Sequence, residues 1–460
     1  MTSPAVFSVD ELKLVLREQL SVAAHSTVYI AYSGGVDSHV LLHALSCLAA
    51  DYPLVVHAIH VDHNLHSQSA EWAQHCQLIC DQLAIPLTIQ KVSIEPVKGE
   101  SLEAAAREAR YSALAELLPD NGICMTAQHR DDQSETIFLQ LLRGAGVHGL
   151  AAMPSAREFA SGQLIRPLLA FSREALVDYA CTHRLQWRED PSNEDNRFDR
   201  NFLRNEILPL MHDRWPGMDS SLSRSTRHMA GAAQLLDEMA HQDLLHCGAT
   251  ENHFFSPCIA YLNARLLSAL PEPHQLNALR RWVRLHGMTV PGDARLQNLL
   301  SLLAESPEKG ELLWHRGAFR LYNGMLWLCN TESLIEPCDE VKHWDTASPL
   351  PLVQQGMMLF AKESTGQGIA RARVESSLLE VRFRQGGEVC RMPGDHGSKQ
   401  LKTLLQELGV PPWLRASLPL IYLRDELVAV SSLWNNAHFV AAAGEPGIVF
   451  SHHRLEQSRE

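Results

Sequence analysis

The sequence lacks several features that would place it outside the class of ordinary folded proteins. No apolar run reaches the ~18 residues that a membrane helix needs, and residues 1–13 have neither the basic nor the apolar region of a signal peptide. The ten cysteines include no C-x-x-C pair. We therefore expect a cytoplasmic protein with buried thiols in a reducing compartment, and not a disulfide scaffold.

Basic residues are also scarce. Forty Lys and Arg stand against 53 Asp and Glu, which gives a net charge of −13. This sign disfavours sequence-independent nucleic-acid binding, which depends on excess positive charge, but it allows a nucleic-acid partner held by a local basic surface. The chain has 460 residues, 45% of them hydrophobic, which is enough for about three domains with substantial cores.

Short apolar segments alternate with helical patterns along the first 150 residues. We predict strands at 28–32, 54–62, 87–93 and 122–128. Helical patterns occupy 1–25, 38–50, 69–83, 101–118 and 132–143. The alternation favours βαβ units, and therefore an α/β fold with a doubly wound, Rossmann-like parallel sheet covered by helices on both faces.

The alternation fades beyond residue 150, and we predict three domains. The first, 1–217, ends at a Trp-Pro-Gly sequence and contains the predicted sheet. A mostly helical middle domain, 218–345, includes a hairpin that turns at Asn323-Gly324. A small α+β C-terminal domain, 356–455, has one helix, at 398–408.

The most specific motif is SGGVDS, at residues 33–38, between a predicted strand and a predicted helix. Its glycines let backbone N–H groups approach an anion, and the helix N-terminus adds partial positive charge. Ser33 and Ser38 add hydroxyl groups. The segment predicts a phosphate-binding loop, although it lacks the lysine of the GTPase loop; the alternative is a tight βα turn. Asp37 is an acid inside this loop, which is understandable if it binds Mg²⁺.

Two further polar segments follow predicted strands. His60 and His63 follow the second strand, where open α/β sheets bind ligands, or they are ordinary loop residues. HRDDQSET, at 129–136, follows the fourth strand. Its Asp132 and Glu135 form either a helix N-cap with its capping-box partner or a carboxylate pair that binds Mg²⁺, orients an amine or accepts its proton.

Two arginine pairs have helical spacing. Arg107 and Arg110 are three residues apart, and Arg200 and Arg204 are four apart, so each pair shares a helix face. Paired guanidinium groups suit phosphates or a carboxylate. The alternatives are a solvated helix face for the first pair and a polar surface loop running into a helix for the second.

Taken together, these motifs resemble one family, the tRNA(Ile)-lysidine synthetases, which belong to the N-type, or PP-loop, ATP pyrophosphatases. The matching segments run in the family's order from residue 33 to 415: SGGVDS, HVDHNL, REARY, HRDDQSET with LLRGAGVHGL, EDPSNEDNRFDRN, and VRFRQGGEVCRMPGDHGSKQLKTLLQELGVPPWLR. The chain departs from the family at His66, where many members have Arg, and we assign that position no role.

The resemblance implies a reaction and its partners. ATP would be cleaved between its α and β phosphates, and O2 of the wobble cytidine (position 34) of a CAU-anticodon isoleucine tRNA would become adenylated. The amine of free lysine would then attack C2 and expel AMP, giving lysidine. The modified tRNA would read AUA and accept isoleucine. The implied partners are this tRNA, bound by the middle and C-terminal domains, with ATP, lysine and Mg²⁺, and no membrane.

The resemblance also implies the site residues. ATP would be bound by Ser33, Gly34, Gly35, Val36, Asp37, Ser38, His60, Arg107 and Arg110. The catalytic residues would be Asp37, Asp132, Glu135, Arg200 and Arg204. Because a lysine amine is protonated at pH 7, with a pKa of roughly 10.4, it needs a nearby carboxylate, and Asp132 and Glu135 are the candidates. The second arginine pair would stabilise phosphate charge or hold the wobble nucleotide.

The C-terminal region contains a local excess of positive charge. Residues 371–424 have nine basic and five acidic residues. The basic ones are Arg371, Arg373, Arg382, Arg384, Arg391, Lys399, Lys402, Arg415 and Arg424. This stretch predicts a tRNA-binding surface dominated by backbone contacts, or else an ordinary surface of mixed charge.

Two other functions are compatible with parts of the sequence. A tRNA thiolase of the same superfamily would be expected to carry cysteine pairs for sulfur or cluster chemistry, and the sequence has no such motif. A non-catalytic anion-binding or tRNA-binding module is the other alternative, and a diphosphate-release assay with ATP and tRNA, with and without lysine, separates the three functions.

Overall fold

A computed structural model describes residues 6–48, 52–63, 69–93, 102–189, 191–251, 258–305, 309–331, 341–353, 356–374, 378–391 and 397–454. Contacts within the chain define two compact units, Met1–Gln234 and Leu235–Glu460. Across the described ranges, no helix is long and apolar enough to cross a membrane.

The first unit contains a six-stranded sheet between two layers of helices. Its strands are β1 Thr27–Ala31, β2 Val55–Asp62, β3 Leu87–Lys91, β4 Ile123–Met125, β5 Ala156–Phe159 and β6 Gly162–Ile165. Its helices are α1 Val9–Leu14, α2 Val36–Leu48, α3 Ser69–Gln82, α4 Leu102–Leu117, α5 Arg130–Leu142, α6 Val147–Leu150, α7 Arg173–Thr182, α8 Asp199–Phe202 and α9 Leu208–Arg214. The next helix, α10 Met218–His246, crosses the division between the units.

The strand order is β3-β2-β1-β4-β6-β5, so the sheet is doubly wound from β1 outward. The pairs among β3, β2, β1, β4 and β6 are parallel, and only the edge strand β5 is antiparallel to its neighbour. This confirms the predicted parallel α/β fold. The sequence analysis missed the β5–β6 hairpin, because its strands have four residues each and little apolar alternation.

The two faces of the sheet pack against separate cores. Val28 and Ile30 of β1 join a cluster with residues of α1, α2 and α7. Tyr29 and Ala31, which alternate with them, pack against a second cluster that includes Leu114 of α4. Because β1 is covered on both faces and paired on both edges, its carboxyl end is a firmly held starting point for the loop that follows it.

The predicted helix boundaries are wrong in three places. The helix predicted over 1–25 is α1 followed by one π turn, Val15–Gln19. Helix α2 begins at Val36 rather than at residue 38, and α5 begins at Arg130 rather than at residue 132. Both shifts place more of the polar motifs within the first turn of a helix.

The second unit begins with helices packed on a five-stranded antiparallel sheet. Its strands are β7 Thr250–Glu251, β8 Cys258–Asn263, β9 Lys309–Trp314, β10 Gly317–Tyr322 and β11 Met325–Asn330, and its helices are α11 Ala264–Ala269, α12 Glu272–Leu285 and α13 Asp293–Glu305. Asn323 and Gly324 have φ of 52° and 72° between β10 and β11, which confirms the predicted hairpin turn.

The remainder of the second unit consists mostly of short antiparallel strands. These are β12 Lys342–Trp344, β13 Leu350–Leu352, β14 Met357–Thr365, β15 Ile369–Ala370, β16 Leu379–Arg382, β17 Val389–Arg391, β18 Ser398–Gln400, β19 Leu420–Leu423, β20 Glu426–Val430, β21 Trp434–Asn435 and β22 Pro446–Arg454. The helix predicted at 398–408 is α14, Leu401–Glu407. The domain boundaries at 217 and 345 stay predictions.

Candidate active site

The phosphate loop predicted at 33–38 is a tight connection between β1 and α2. Ser38 Oγ accepts the backbone N–H of Ser33 at 3.2 Å and donates to the carbonyl of Gly35 at 3.0 Å. Ser33 Oγ lies 3.0 Å from Ser38 Oγ and 3.4 Å from the backbone N of Gly35, whose N–H it accepts. These bonds fix the turn in advance, so the unpaired N–H groups at the start of α2, including that of Val36, are arranged for an anion.

Both the backbone conformation and the side-chain packing at position 34 require glycine. Its φ is +82°, and a Cβ on it would lie 3.0 Å from Sγ of Cys76 on α3. Its carbonyl accepts the backbone N–H of Arg188 at 3.1 Å. The loop therefore rests directly on α3, which leaves no room for a side chain at this position.

Asp37 lies in the first turn of α2, with 30% of its side chain exposed. Its Oδ2 lies 3.7 Å from Nε2 of His129, which follows β4. Burial raises the pKa of the Asp37 carboxyl, His129 opposes this, and Asp132 raises the pKa further. The other oxygen, Oδ1, is buried and makes no hydrogen bond to a described residue.

A buried carboxylate oxygen without a donor suits a hard cation, so Asp37 fits the predicted Mg²⁺ ligand. The described part of the chain contains no group of three or more His, Cys, Asp or Glu arranged for a metal ion. Mg²⁺ is commonly bound by one or two carboxylates together with substrate phosphates and water, which is the arrangement that this site allows.

Asp132 connects the start of α5 to the same histidine. Its Oδ2 accepts the backbone N–H of His129 at 3.0 Å and lies 3.5 Å from Nε2 of that residue. Burial acts to raise the pKa of Asp132, but His129 and the guanidinium groups of Arg200 and Arg204 outweigh it and hold the pKa below its ordinary value. Asp132 is therefore a carboxylate throughout the neutral range.

The prediction that Asp132 is the N-cap of α5 is wrong by three residues. The N-cap of α5 is His129, and Asp132 is its partner three residues on. Glu135 is not the capping partner, because it lies one further turn into the helix and faces the second arginine pair.

Glu135 is completely buried between two guanidinium groups. Nε of Arg200 donates to Glu135 Oε2 at 2.6 Å, and Nε of Arg204 donates to Oε1 at 2.6 Å. Arg204 also reaches Asp132 Oδ1 at 3.2 Å. Burial acts to lower the pKa of both arginines, but these carboxylates outweigh it and raise the pKa. Glu135 is closed off from solvent in this structure, and its predicted catalytic role stays a prediction.

His60 and His63 are placed differently. His60 is buried, with Nδ1 2.9 Å from the carbonyl oxygen of Tyr32 and 3.5 Å from Sγ of Cys76, so its ring secures the end of β1. Burial lowers the pKa of His63 to about 4, and the neighbouring Arg110 acts in the same direction. Position 66 lies outside the described residues.

Arg107 and Arg110, the first arginine pair, have different neighbours. Arg107 is exposed, with its guanidinium carbon 5.0 Å from the ring centroid of Tyr111. Arg110 is exposed too, near His63. The binding of ATP by these two arginines stays a prediction.

The basic stretch at 371–424 is only partly an open surface. Arg382 pairs with Glu380 at 2.5 Å and Asp425 at 3.3 Å, and its guanidinium carbon lies 4.6 Å from the ring centroid of Tyr422. Arg415 is buried and donates to the carbonyl of Val410. Arg415 is therefore a structural residue, and counting it toward a binding surface was wrong.

Several other basic residues of this stretch also have acidic neighbours: Arg371 with Glu363, Arg384 with Glu388 and Lys399 with Glu407. By contrast, Arg373, Lys402 and Arg424 are exposed, and these three are the better candidates for contact with a polyanion.

His129 is the site residue that sequence reasoning missed. It is 2% exposed and bridges Asp37 and Asp132 through one nitrogen, Nε2. Its position directly after a central parallel strand was the available signal, because strand ends of this kind meet at one edge of the sheet. The predicted helix cap involved only the carboxylates of this segment and not His129.

A doubly wound sheet with a preorganised phosphate loop after its central strand, and an acidic cluster beside that loop, defines an ATP-using enzyme of the PP-loop class. In agreement, the family described as "PP-loop domain" matches residues 8–211. Two further families match the second unit: "TilS substrate binding domain" over 262–327 and "TilS substrate C-terminal domain" over 379–452.

Relatives over nearly the full length give the particular family. The chain is 40% identical over 427 residues to tRNA(Ile)-lysidine synthase of Coxiella burnetii, covering 92% of each chain. It is 40% identical over 413 residues to the protein of the same name from Pseudomonas syringae pv. tomato, covering 89% of each. The chain belongs to the tRNA(Ile)-lysidine synthase family, whose members are ATP-dependent ligases that form lysidine in tRNA.

Among solved structures, the U34-tRNA thiolase NcsA from Methanococcus maripaludis is 16% identical, with a TM-score of 0.42, and the match covers 48% of this chain and 78% of that one.

Proposed function

We propose that this enzyme joins free L-lysine to C2 of the wobble cytidine of the CAU-anticodon isoleucine tRNA, with release of AMP and diphosphate. The observation that supports the proposal is the proximity of Asp37, His129 and Asp132, because a second carboxylate beside the phosphate loop is available to bind an amine. The product tRNA accepts isoleucine and reads AUA. The reaction takes place in the cytoplasm, where tRNA, ATP and lysine meet.

The first half-reaction is adenylation. Cytosine O2 attacks the α-phosphorus of ATP, and diphosphate leaves. The loop at 33–38 holds the departing phosphates with backbone N–H groups, and the hydroxyls of Ser33 and Ser38 keep that loop in shape. Asp37 is the residue that would hold Mg²⁺, which neutralises phosphate charge when bound. His60, whose ring lies against the carbonyl of Tyr32, keeps the end of β1 in order beside the nucleotide.

The second half-reaction is attack by lysine. The amine forms a bond to C2, AMP leaves with the electrons of the C2–O2 bond, and the amine loses its proton. Asp132 is the better candidate to hold the ammonium and accept that proton, because 14% of its side chain is exposed whereas Glu135 is fully buried. Glu135 instead fixes Arg200 and Arg204, which stabilise the phosphate of the leaving AMP or hold the wobble nucleotide.

A diphosphate-release assay tests the proposal. The purified enzyme is given ATP with in vitro transcribed isoleucine tRNA, with lysine present or omitted, and the tRNA nucleosides are analysed by mass spectrometry. We expect diphosphate release to require the tRNA and lysidine to require lysine. A tRNA in which C34 is replaced by U is the matched control. Sulfur incorporation, or tRNA binding without diphosphate release, would contradict the proposal.

A further inference from the structure

Three arginines of the first unit converge on one tyrosine. The guanidinium carbons of Arg107, on α4, and Arg157, on β5, lie 5.0 Å and 5.5 Å from the ring centroid of Tyr111. Arg157 also lies 5.4 Å from the ring centroid of Phe159. Arg166, which directly follows β6, is the third member of this group. The Tyr111 side chain lies close enough to act on its guanidinium group and to raise its pKa.

The cluster formed by Arg107, Arg157, Arg166 and Tyr111 brings three guanidinium groups around one ring. Arg166 is only 4% exposed, and burial together with the charges of the other two arginines lowers its pKa, while Tyr111 acts in the opposite direction. Nη1 of Arg166 donates to the carbonyl of Pro154 at 2.7 Å. Among the described residues, no carboxylate forms an ion pair with any of the three guanidinium groups.

Two polar groups lie next to each other at the centre of the cluster. Nε of Arg166 and the hydroxyl group of Tyr111 are both buried there. Three guanidinium groups around one ring repel each other. An anion that accepts from the two exposed arginines, Arg107 and Arg157, offsets this repulsion. Guanidinium groups suit phosphate oxygens in particular, because they can donate two parallel hydrogen bonds.

The position of the cluster separates it from the ATP loop. Arg166 lies at the carboxyl end of β6, and β4 lies between β6 and β1, so the two sites are about 10 Å apart along the sheet at ~4.8 Å per strand. Tyr111 packs on the face of the sheet covered by α4, whereas α2 packs on the opposite face. Arg166 nevertheless directly follows β6, at the edge of the sheet where the parallel strands end.

We propose that the arginine cluster binds a backbone phosphodiester of the tRNA while the PP-loop binds ATP. A polynucleotide carries a phosphate at every nucleotide, so a strand whose target base lies near Asp132 has further phosphates within reach of β5 and β6. This inference depends on the proposed function only in taking tRNA as the substrate. It also gives Arg107 an RNA phosphate to bind, in place of the ATP contact expected from its sequence.

The test replaces the two exposed members of the cluster in the full-length enzyme. Arg157→Gln and Arg107→Gln remove one charge each, and Arg184→Gln, at an exposed position of the same unit, is the control. The buried Arg166 stays intact so that folding is preserved, and thermal unfolding of each variant checks this. Dissociation constants for isoleucine tRNA are measured from 50 to 300 mM KCl, and the KM for ATP is measured at saturating tRNA.

We expect Arg157→Gln and Arg107→Gln each to weaken tRNA binding by about three- to tenfold and to reduce the slope of log Kd against log salt by about 0.7–0.9, with the KM for ATP and the control unchanged. A raised KM for ATP with unchanged tRNA affinity would assign the cluster to the nucleotide and overturn the proposal. Unchanged values for both ligands would overturn it as well.

The wild-type enzyme separates this inference from the proposed function. If the wild-type protein binds and modifies the tRNA, but Arg157→Gln binds it equally well, then only the phosphodiester site is wrong. If the wild-type protein forms no lysidine, then the proposed function fails, while tRNA binding by the variants still tests the cluster.

Discussion

Arg204 donates a 2.6 Å hydrogen bond to Glu135, a side chain that is completely buried. The pair connects α5 to the π turn Leu203–Ile207, and the same guanidinium reaches Asp132. Both oxygens of this carboxylate, which the sequence suggested as a catalytic group, are thus occupied by arginines.

Glu135→Gln should lower both stability and activity. The amide keeps the size of the side chain but leaves two partly buried guanidinium groups without their shared charge, which costs about 3 kcal/mol. Denaturant unfolding measures this loss, and Glu174→Gln, at an exposed position in the first turn of α7, is the control. An unfolding free energy equal to that of the control would show that the buried pair is energetically unimportant.

Asp37→Asn should abolish modification without destabilising the fold. Because burial raises the pKa of Asp37 in the folded state, its ionisation opposes folding: the penalty is complete above the folded pKa, shrinks as pH falls and disappears below the unfolded pKa. Removing the charge therefore leaves Tm at pH 7 equal or higher. Turnover close to that of the wild type at saturating Mg²⁺ would contradict the metal-ligand role.

Asp132→Asn should separate the two half-reactions. Asparagine keeps the size of the side chain and its capping oxygen, so the bond to the N–H of His129 persists while the charge is lost. We expect normal ATP binding and an adenylated tRNA that accumulates because lysine cannot resolve it, detected with α-labelled ATP. Absence of adenylated tRNA would move Asp132 to the first half-reaction, beside Asp37.

The pH dependence of stability provides a second readout for Asp132. Its folded pKa is lowered, so its contribution to stability is present above the unfolded pKa and is lost as pH falls through the folded value. We therefore expect Asp132→Asn to reduce the difference in Tm between pH 7 and pH 3. An unchanged difference would show that other carboxylates dominate acid unfolding.

Gly34→Ala should be far more damaging than Gly35→Ala. At Gly34 the φ of +82° costs about 1–2 kcal/mol for an L residue, and the new Cβ meets Sγ of Cys76 at 3.0 Å. At Gly35 the nearest atom, Ser33 Oγ, lies at an ordinary 3.6 Å. Denaturant unfolding and the Kd for ATP of the two variants measure the difference. Equal effects would mean that the loop relaxes freely.

Neutralising Lys402 and Arg424 should weaken tRNA binding more than neutralising Arg382, which already pairs with Glu380 and Asp425. Arg384 likewise pairs with Glu388, so the ion pairs of Arg382 and Arg384 weaken their attraction for a polyanion. The measurement is the salt dependence of tRNA affinity. Lys362→Gln, at an exposed position of the same unit, is the control. Equal effects of all the variants would indicate a diffuse surface.

The parallel α/β class of the first unit and the tight turn between its first strand and the next helix were predictable from the sequence. Apolar runs such as 28–32 mark strands buried on both faces, and two glycines between a strand and a helix leave few conformations other than an anion-binding turn. The Asn323-Gly324 turn was predictable too, because positive φ at both positions needs these residue types. Local conformational preference decides all of these features.

Only the tertiary structure decided which polar side chains share an environment. His129 joins Asp37 to Asp132, Glu135 is closed off by arginines about 65 residues away in sequence, and Arg166 is buried beside Tyr111. A sequence motif gives the type and spacing of its residues along one chain direction. Burial, charge pairing and pKa depend on groups brought together from distant strands and helices, because electrostatic interaction depends on distance in space and on exclusion of water.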